Sequence, residues 1–425
     1  MQIRIKGARV LDPGNIDDVR DILIEGGKIK AVVDPGFETD RDDETVIEAA
    51  GMVVVPGLID IHVHLREPGH EYKETIETGL AAAAAGGFTA VCSMPNTDPV
   101  NDNSQVTQFI INRADELGGT KIFPAGAVTK GSLGETLAEI YDMQQAGIAA
   151  VTDDGLPVEN TNVMRRALEY CKGLNLPVFV HAEDHSIADS GSMNEGPFST
   201  FWGIKGIPNA AESIMVVRDI ALSELTGAHV HFCHISTAES VEAIRQAKGR
   251  GVKVTCETAP HYFTLTDKDI KGYDTNFKMN PPLRSEQDRS AIIKGLKDGT
   301  IDLIASDHAP HSVLEKDVEF DRAAFGVIGL ETSLPLCLDL VHNNVLSLDE
   351  LIRKMSKIPA GIIGINNDIV PGNSADLTII DMDRSFVIDP DNFKSKGRNT
   401  PFKGMSVKGC AHTTIVNGRV VFQNE

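Results

Sequence analysis

The stretch that decides the fold is Val53-Val54-Val55-Pro56-Gly57-Leu58-Ile59-Asp60-Ile61-His62-Val63-His64. It is short, rich in valine and isoleucine, and ends in polar residues, which is typical of a strand buried in a parallel sheet. Similar runs follow it along the chain. They are Thr89–Asn96, Lys121–Val128, Ala149–Asp154, Pro177–Glu183, His229–Ser236, Val252–His261 and Ile301–His311.

Helix-like stretches separate these runs, among them Thr75–Ala85, Gln105–Leu117, Glu135–Ala146, Val163–Gly173 and Ala238–Gly249. A strand followed by a helix, repeated about eight times over roughly 250 residues, is the pattern of a (β/α)8 barrel of the TIM type. Periodicity alone does not show that the sheet closes, so a doubly wound open sheet is the structural alternative. Both alternatives belong to the α/β class.

The two ends of the chain have a different pattern, with short strand-like pieces between glycine and proline turns. These pieces are Gln2–Val10, Asp21–Ile24, Ile29–Val33, Ala375–Asp381, Thr413–Val416 and Arg419–Phe422. Asn417-Gly418 predicts a tight hairpin between the last two. We therefore predict that residues 1–52 and 367–425 pair into one composite β-sandwich-like domain, and that residues 53–366 form the barrel.

Composition limits the classes of function. The chain has 425 residues and a formal net charge of −21, which argues against nucleic acid or an anionic membrane as a partner. The start of the sequence lacks an apolar signal core, and no apolar run approaches membrane-spanning length. Six cysteines without a CxxC pair indicate reduced core thiols in a cytoplasmic protein. An acidic protein can still bind an acidic substrate, but only through a local positive charge.

Candidate metal ligands occur where the predicted strands end, which is where barrel enzymes carry their active sites. His62 and His64 are two residues apart, so both imidazoles face the same way from a strand. Other strand ends carry Asp153-Asp154, His181, His234 and Asp307. Four imidazoles with two or three carboxylates suit two divalent ions that share one site.

Each of these residues also has a structural interpretation when taken alone. A buried histidine often bonds to backbone, Asp154 before glycine suits a turn, and Asp307 suits a helix cap. Those interpretations do not explain why all the candidates lie at the same ends of the strands. Alternation along a strand points Asp153 and Asp154 to opposite sides, and the pattern leaves open which of them enters the barrel.

A second His-x-His pair, His229-Val230-His231, opens its strand instead of closing it. His231 also has the opposite parity to His234, so the two cannot share a face of a regular strand. We assign structural roles to His229 and His231.

Two segments resemble the signatures of the dihydroorotase family. One is Asp60-Ile61-His62-Val63-His64-Leu65-Arg66-Glu67-Pro68, and the other is Ala305-Ser306-Asp307-His308-Ala309-Pro310-His311 with Lys316 five residues on. Further segments are similar to bacterial class I dihydroorotases in the same order: Met94–Thr97, Thr152–Gly155, His181–Asp184, Ala259–Tyr262, Asn280–Arg284 and Phe325-Gly326. The resemblance covers nearly the whole chain, and no ligand position departs from the family pattern.

The resemblance implies a reversible reaction between (S)-dihydroorotate and N-carbamoyl-L-aspartate in de novo pyrimidine (UMP) biosynthesis. It implies two Zn²⁺ per subunit, with His62 and His64 on one, His181 and His234 on the other, and Asp154 and a hydroxide between them. Asp307 would be a metal ligand and the catalytic proton-transfer residue. The implied substrate contacts are His64, Arg66, Asn96, Asn280, His311, Phe325 and Gly326. Arg66 would supply the positive charge that a substrate carboxylate needs.

Two alternatives remain, another cyclic amidohydrolase and, in a different class, a non-catalytic scaffold. Hydantoinases and allantoinases share the histidines but generally use a carboxylated lysine as the bridge, so Asp154 and Arg66 favour the dihydroorotases. A non-catalytic scaffold beside aspartate carbamoyltransferase is disfavoured because such relatives usually lose metal ligands. We expect a homodimer, and an association with aspartate carbamoyltransferase stays open. The sequence does not give the conformation of the loop Ser312–Ala324.

Overall fold

The structure is a computed structural model that describes residues 2–37 and 44–424. The predicted composite domain thus includes residues 1, 38–43 and 425, which lie outside the described residues. The strands are β1 Gln2–Asp12, β2 Ile16–Glu25, β3 Lys28–Val33, β4 Glu44–Glu48, β5 Val53–Pro56, β6 Leu58–Val63, β7 Phe88–Ser93, β8 Lys121–Ile122, β9 Ala125–Gly126, β10 Ala150–Val151, β11 Val178–Val180, β12 Met193–Asn194, β13 Gly206–Ile207, β14 Val230–Phe232, β15 Val254–Thr258, β16 Leu303–Ile304, β17 Leu377–Val387, β18 Ser406–Val416 and β19 Arg419–Gln423.

The helices lie mainly between the central strands and after them. They are α1 Ile76–Ala85, α2 Ser104–Leu117, α3 Ile140–Ala146, α4 Thr161–Leu174, α5 His185–Ala188, α6 Pro197–Trp202, α7 Asn209–Thr226, α8 Ala238–Gly249, α9 Pro260–Thr264, α10 Glu286–Asp298, α11 Val313–Lys316, α12 Leu330–His342, α13 Leu348–Ile352 and α14 Ile358–Ile363. Several of these helices begin after a residue whose side chain caps the first turn. Thr75 accepts from the backbone N–H of Thr78 at the start of α1, and Asn160 caps α4 in the same manner.

The central strands pair in parallel, as the sequence predicts. β9, β10, β11, β14, β15 and β16 form one six-stranded sheet, and β6, β7 and β8 form a three-stranded one. β8 leads directly into β9 along the chain, and a parallel bridge joins Val63 to His308, just beyond β16. The backbone N–H of His64 also donates to the carbonyl of His308 at 2.8 Å. Parallel pairing places the carboxyl ends of all these strands at one edge.

For two predicted elements of the central region, the difference between prediction and structure has a local cause. The run Lys121–Val128 is two short strands, because Pro124 has no N–H to contribute to a ladder. The helix predicted over Glu135–Ala146 begins only at Ile140. Its predicted first turn bonds elsewhere, since the Thr136 carbonyl accepts from Lys130 N–H and Ala138 N–H donates to Val128.

Both ends of the chain contribute to one eight-stranded sheet, in the order β19-β18-β17-β5-β1-β2-β3 with β4 beside β1. Val53–Pro56 belongs to this sheet, where it pairs with β1 and β17, so the sheet extends four residues past the predicted boundary at residue 52. Asn417 and Gly418 have φ of 48° and 67° and form the predicted two-residue hairpin between β18 and β19. Apolar residues of this sheet, such as Ile3, Ile22 and Leu377, pack into a cluster of their own.

All six cysteines are buried free thiols, as the sequence predicts. Among residues 2–37 and 44–424, no helix has both the length and the apolar character needed to cross a membrane.

Candidate active site

The predicted metal ligands all lie at or just beyond the carboxyl ends of the central strands. His62 is in β6, and the others follow their strands by one to three residues: His64, Asp154, His181, His234 and Asp307. His234 and Asp307 have left-handed backbone conformations, with φ of 34° and 48°. Such a conformation is uncommon for residues other than glycine and is often found at functional sites. It takes these side chains out of simple strand alternation.

One group of possible ligand atoms consists of His62, His64 and Asp307, whose donor atoms lie within 4.8 Å of one another. His64 Nε2 is 3.2 Å from Asp307 Oδ1, and His62 Nε2 is 3.7 Å from the same oxygen. All three side chains are buried. Imidazole nitrogen and carboxylate oxygen are ligands that Zn²⁺ accepts.

The second group is Asp154, His181 and His234, within the same 4.8 Å limit. Asp154 Oδ1 is 3.6 Å from His234 Nε2 and 3.8 Å from His181 Nδ1. Its carboxylate also lies close to the first group, with Oδ1 at 3.4 Å from His62 Nε2 and Oδ2 at 3.5 Å from His64 Nε2. Asp154 is therefore placed between the two groups.

Three buried atoms of this cluster, His62 Nε2, Asp154 Oδ1 and His234 Nδ1, have no hydrogen-bond partner among the described residues. A buried polar atom without a partner is costly, so it needs a ligand that completes the site. Burial alone would raise the pKa of Asp154, but the imidazoles of His62, His234 and His64 hold it well below its ordinary value. The donor set and its unpartnered atoms fit a pair of divalent metal ions.

Sequence reasoning missed Glu257, a fully buried carboxylate in β15. Its Oε1 lies 2.7 Å from His62 Nδ1, and its Oε2 lies 3.1 Å from His231 Nε2. Burial would raise the pKa of Glu257, but these two imidazoles lower it to about 2. A carboxylate on the outer nitrogen of a histidine fixes which ring nitrogen faces a metal. The pattern of polar residues at strand ends does not point to Glu257, because the partners of Glu257 are distant in sequence.

Asp153 turns away from this cluster. Its Oδ1 accepts from the backbone N–H groups of Val128 and Thr129 at 2.8 and 3.1 Å. The structure thus places the two adjacent aspartates on different sides, as strand alternation predicts, with Asp154 facing the histidines.

The lysines nearest in sequence to the bridging position are engaged elsewhere. Lys121 Nζ donates to Asp376 at 2.5 Å, and Lys172 Nζ donates to the Thr226 carbonyl at 2.7 Å. Lys130 Nζ lies 3.9 Å from the carboxylate of Glu139. None of these three side chains reaches the histidine cluster as a carboxylated bridge would have to.

The predicted substrate residues form two groups beside the cluster. In the first, Arg66 is buried with a φ of 64°, and its Nε donates to the Pro310 carbonyl at 3.2 Å. Its Nη2 is 3.4 Å from His311 Nε2, which is 2.7 Å from the carbonyl of Phe325. Burial lowers the pKa of Arg66 to about 10, so the guanidinium stays charged near neutral pH.

The second group of predicted substrate residues, Asn96 and Asn280, contacts the histidines directly or through one residue. Asn96 Oδ1 is 3.0 Å from His64 Nδ1. Asn280 Nδ2 donates to Glu183 at 2.8 Å, and the same oxygen of Glu183 lies 3.2 Å from His181 Nε2. Glu183 is a second carboxylate that sequence reasoning did not single out.

Gly326 has a backbone requirement of its own. Its φ is 133°, and a Cβ there would lie 2.7 Å from Ala309 Cβ and 3.1 Å from His311 Nε2. Only glycine allows this approach of the backbone to His311.

Comparisons with known proteins agree with this geometry. Residues 51–240 match the family described as "Dihydro-orotase-like". The chain is 62% identical to a dihydroorotase of Desulforapulum autotrophicum and 53% identical to one of Geobacter metallireducens, each over 100% of both chains. Among solved structures, the L-hydantoinase (dihydropyrimidinase) of Arthrobacter aurescens superposes with a TM-score of 0.90 at 27% identity, covering 99% of this chain and 96% of that one. The chain thus shares the fold of that hydantoinase, and it belongs to the dihydroorotase family.

Proposed function

We propose that this site hydrolyses (S)-dihydroorotate reversibly to N-carbamoyl-L-aspartate, with two zinc ions per subunit. The observation that carries the proposal is the position of Asp154, whose two oxygens face His62 and His64 on one side and whose Oδ1 faces His181 and His234 on the other. An aspartate can bridge two cations without modification. This supports a dihydroorotase over the lysine-bridged alternatives.

His62, His64 and Asp307 would hold one ion, and His181 and His234 the other, with Asp154 shared. When bound, the ions would supply an acidified water and a Lewis acid for the carbonyl oxygen of the substrate. The carboxylate of Glu257 would keep His62 Nδ1 engaged, so that Nε2 is left for the metal.

The protein's own groups would then perform the remaining steps. Arg66 would pair with the substrate carboxylate through its planar guanidinium, and His311, Asn96 and Asn280 would orient the ring. Backbone groups at Phe325 and Gly326 would contact the ring edge. Asp307 would accept the proton of the attacking water and deliver it to the departing ring nitrogen, which is general base and then general acid catalysis.

We propose that the chain forms a closed (β/α)8 barrel with a composite β domain. The continuity of β8 with β9 and the Val63–His308 bridge support closure, because they join the two parallel sheets at both sides. The separate apolar cluster of the end sheet supports a domain with its own core.

Purified protein should hydrolyse dihydroorotate, lose that activity in a chelator and regain it with Zn²⁺. It should prefer dihydroorotate to hydantoin and dihydrouracil, which lack the carboxylate, and Arg66→Lys should reduce this preference, because an ammonium cannot make a two-pronged contact. Zinc analysis of the active protein would give the stoichiometry. Full turnover after metal removal, or equal rates on carboxylate-free rings, would refute the proposal.

We also propose a homodimeric, cytoplasmic enzyme. Six buried free thiols support a reducing compartment. Light scattering would give the oligomeric mass, and copurification would test an association with aspartate carbamoyltransferase.

A further inference from the structure

Lys316 completes the second sequence signature, but the mechanism above does not use it. The residue is buried, at 6% exposure. Its Nζ donates to three backbone carbonyls, those of Ala324 at 2.8 Å, Gly326 at 3.0 Å and Lys278 at 3.1 Å. An ammonium has three protons, so each of them has one acceptor. Within the described residues no carboxylate forms an ion pair with this Nζ, so its bonding is to the backbone.

The three acceptors lie next to proposed substrate contacts. Two of them flank Phe325, and the third lies two residues before Asn280. Lys316 itself follows His311 by five residues and ends the helix α11. We call residues 311–326 the substrate loop. The ammonium of Lys316 thus links two parts of the loop to each other and links the loop to the segment that carries Asn280.

Asn399, from the segment before β18, fastens the same loop at its two ends. Its Nδ2 donates to the carbonyls of Ala309 and Gly326, each at 3.0 Å, and its Oδ1 accepts from His311 N–H at 3.1 Å. Asn399 is also buried. The carbonyl of Gly326 therefore receives hydrogen bonds from both Lys316 and Asn399.

We propose that Lys316 and Asn399 are positioning residues that hold the substrate loop in the conformation that binds dihydroorotate. The proposal rests on the function proposed above. Because both side chains hold the backbone of the loop, their loss should lower the fraction of protein with a binding-competent loop. Neither side chain lies among the candidate metal ligands, so metal binding should not change. A lower competent fraction raises the apparent dissociation constant by the same factor, which appears in KM more than in kcat.

The matched variants are Lys316→Met and Lys354→Met. Lys354 is also 6% exposed, and its Nζ also donates to a backbone carbonyl, that of Ile301 at 2.6 Å. Ile301 lies before β16, at the other end of the strand from Asp307. Both variants remove a buried ammonium, but only Lys316→Met acts on the substrate loop. Asn399→Ser gives a second test if Lys316→Met does not fold.

We expect Lys316→Met and Asn399→Ser to raise KM about tenfold or more, with kcat changed less and the zinc content unchanged. Amide hydrogen exchange over residues 311–326, measured without substrate, should become faster in both. Lys354→Met should leave KM and this exchange unchanged while lowering Tm. An unchanged KM and unchanged exchange in Lys316→Met, or in Asn399→Ser if the former is unfolded, would overturn the proposal. An equal rise in KM in Lys354→Met would overturn it as well.

The exchange measurement separates the two proposals. If the unsubstituted protein did not turn over dihydroorotate, the proposed function would fail. Faster exchange in the loop variants would then still support the positioning role, and unchanged exchange would overturn it.

Discussion

The two His-Val-His sequences of this chain lie at opposite ends of the parallel strands. His62 and His64 close β6, and His62 Nε2 is buried without a hydrogen-bond partner among the described residues. His229 and His231 open β14, and both rings lie 2.8 Å from Thr255 Oγ1. The first pair is left with an atom that needs a ligand, whereas the second pair is satisfied by the protein. The end of the strand on which a motif lies, and not the motif itself, therefore distinguishes a candidate metal site from a structural one.

The two pairs are nevertheless connected. Glu257 contacts His62 through one oxygen and His231 through the other. The structural role of His229 and His231 stays a prediction. The structure shows in addition that His231 contacts the same carboxylate as His62, a proposed metal ligand. Four sets of substitutions test this difference and the candidate site at the carboxyl end, and their expected effects decrease from His62 to Glu257.

The largest effect should come from His62→Ala. We expect activity to fall at least about a thousandfold and zinc content to drop, with the far-UV circular dichroism retained because the fold does not depend on this ligand. His229→Ala is the matched control at the other end and should keep both metal and activity. Comparable losses in the two variants would remove the distinction between the ends.

Asp154→Ala and Asp153→Ala compare adjacent carboxylates. Asp154→Ala should lose zinc and nearly all activity, because the bridging position is lost. Asp153→Ala should keep its zinc but lower the free energy of unfolding by about 1–3 kcal/mol, since two buried N–H groups lose their acceptor. Metal analysis and denaturant unfolding would measure both. Retention of both metals by Asp154→Ala would contradict the bridge, as would electron density for a carboxylated lysine between them.

Asp307→Asn tests proton transfer at the carboxyl end. We expect kcat to fall by about 10²–10⁴ with a smaller change in KM, since a proton carrier acts mainly in the transition state. Zinc content must be measured in parallel, because an amide is a weaker ligand. A fully metallated variant with nearly normal kcat would show that another group moves the proton.

Glu257→Gln should have the smallest effect of the four. The amide keeps the size of the side chain but weakens its hold on His62, so zinc affinity should fall about 10–100-fold. A competition titration with a chelator would measure this. Thr255→Val is the control. It removes the hydroxyl that contacts His229 and His231, at a greater distance from His62, and should leave zinc affinity unchanged. Equal losses in both variants would indicate a general disturbance of the strands.

Elements that depend on local pattern were predictable from the sequence. The helix over Ala238–Gly249 has the predicted bounds, and the Asn417-Gly418 hairpin forms because both residues tolerate positive φ. The strand-end histidines and aspartates come together as expected, since parallel strands share one edge. The division of the run from Val53 to His64 into two strands was not predictable. Its first four residues pair with the end sheet, and Gly57 separates them from β6.

Features that depend on distant contacts were not predictable. Glu257 lies 195 residues from His62, and Asn280 lies 97 residues from Glu183. No local pattern marks such pairs. The left-handed backbone of Arg66, His234 and Asp307 was also not predictable, because no local pattern marks these positions and the surrounding structure must impose the conformation.

The shared end sheet has a consequence for the order in which the chain acquires structure during its synthesis. Leu58 N–H bonds to Thr378 Oγ1, 320 residues later, and β5 has its antiparallel neighbour in β17. A ribosome that adds roughly 5–20 residues per second would leave β5 without this neighbour for about 16–64 seconds. During that time β5 is an exposed edge that other nascent chains could pair with. This edge is covered only once β17 has been synthesised.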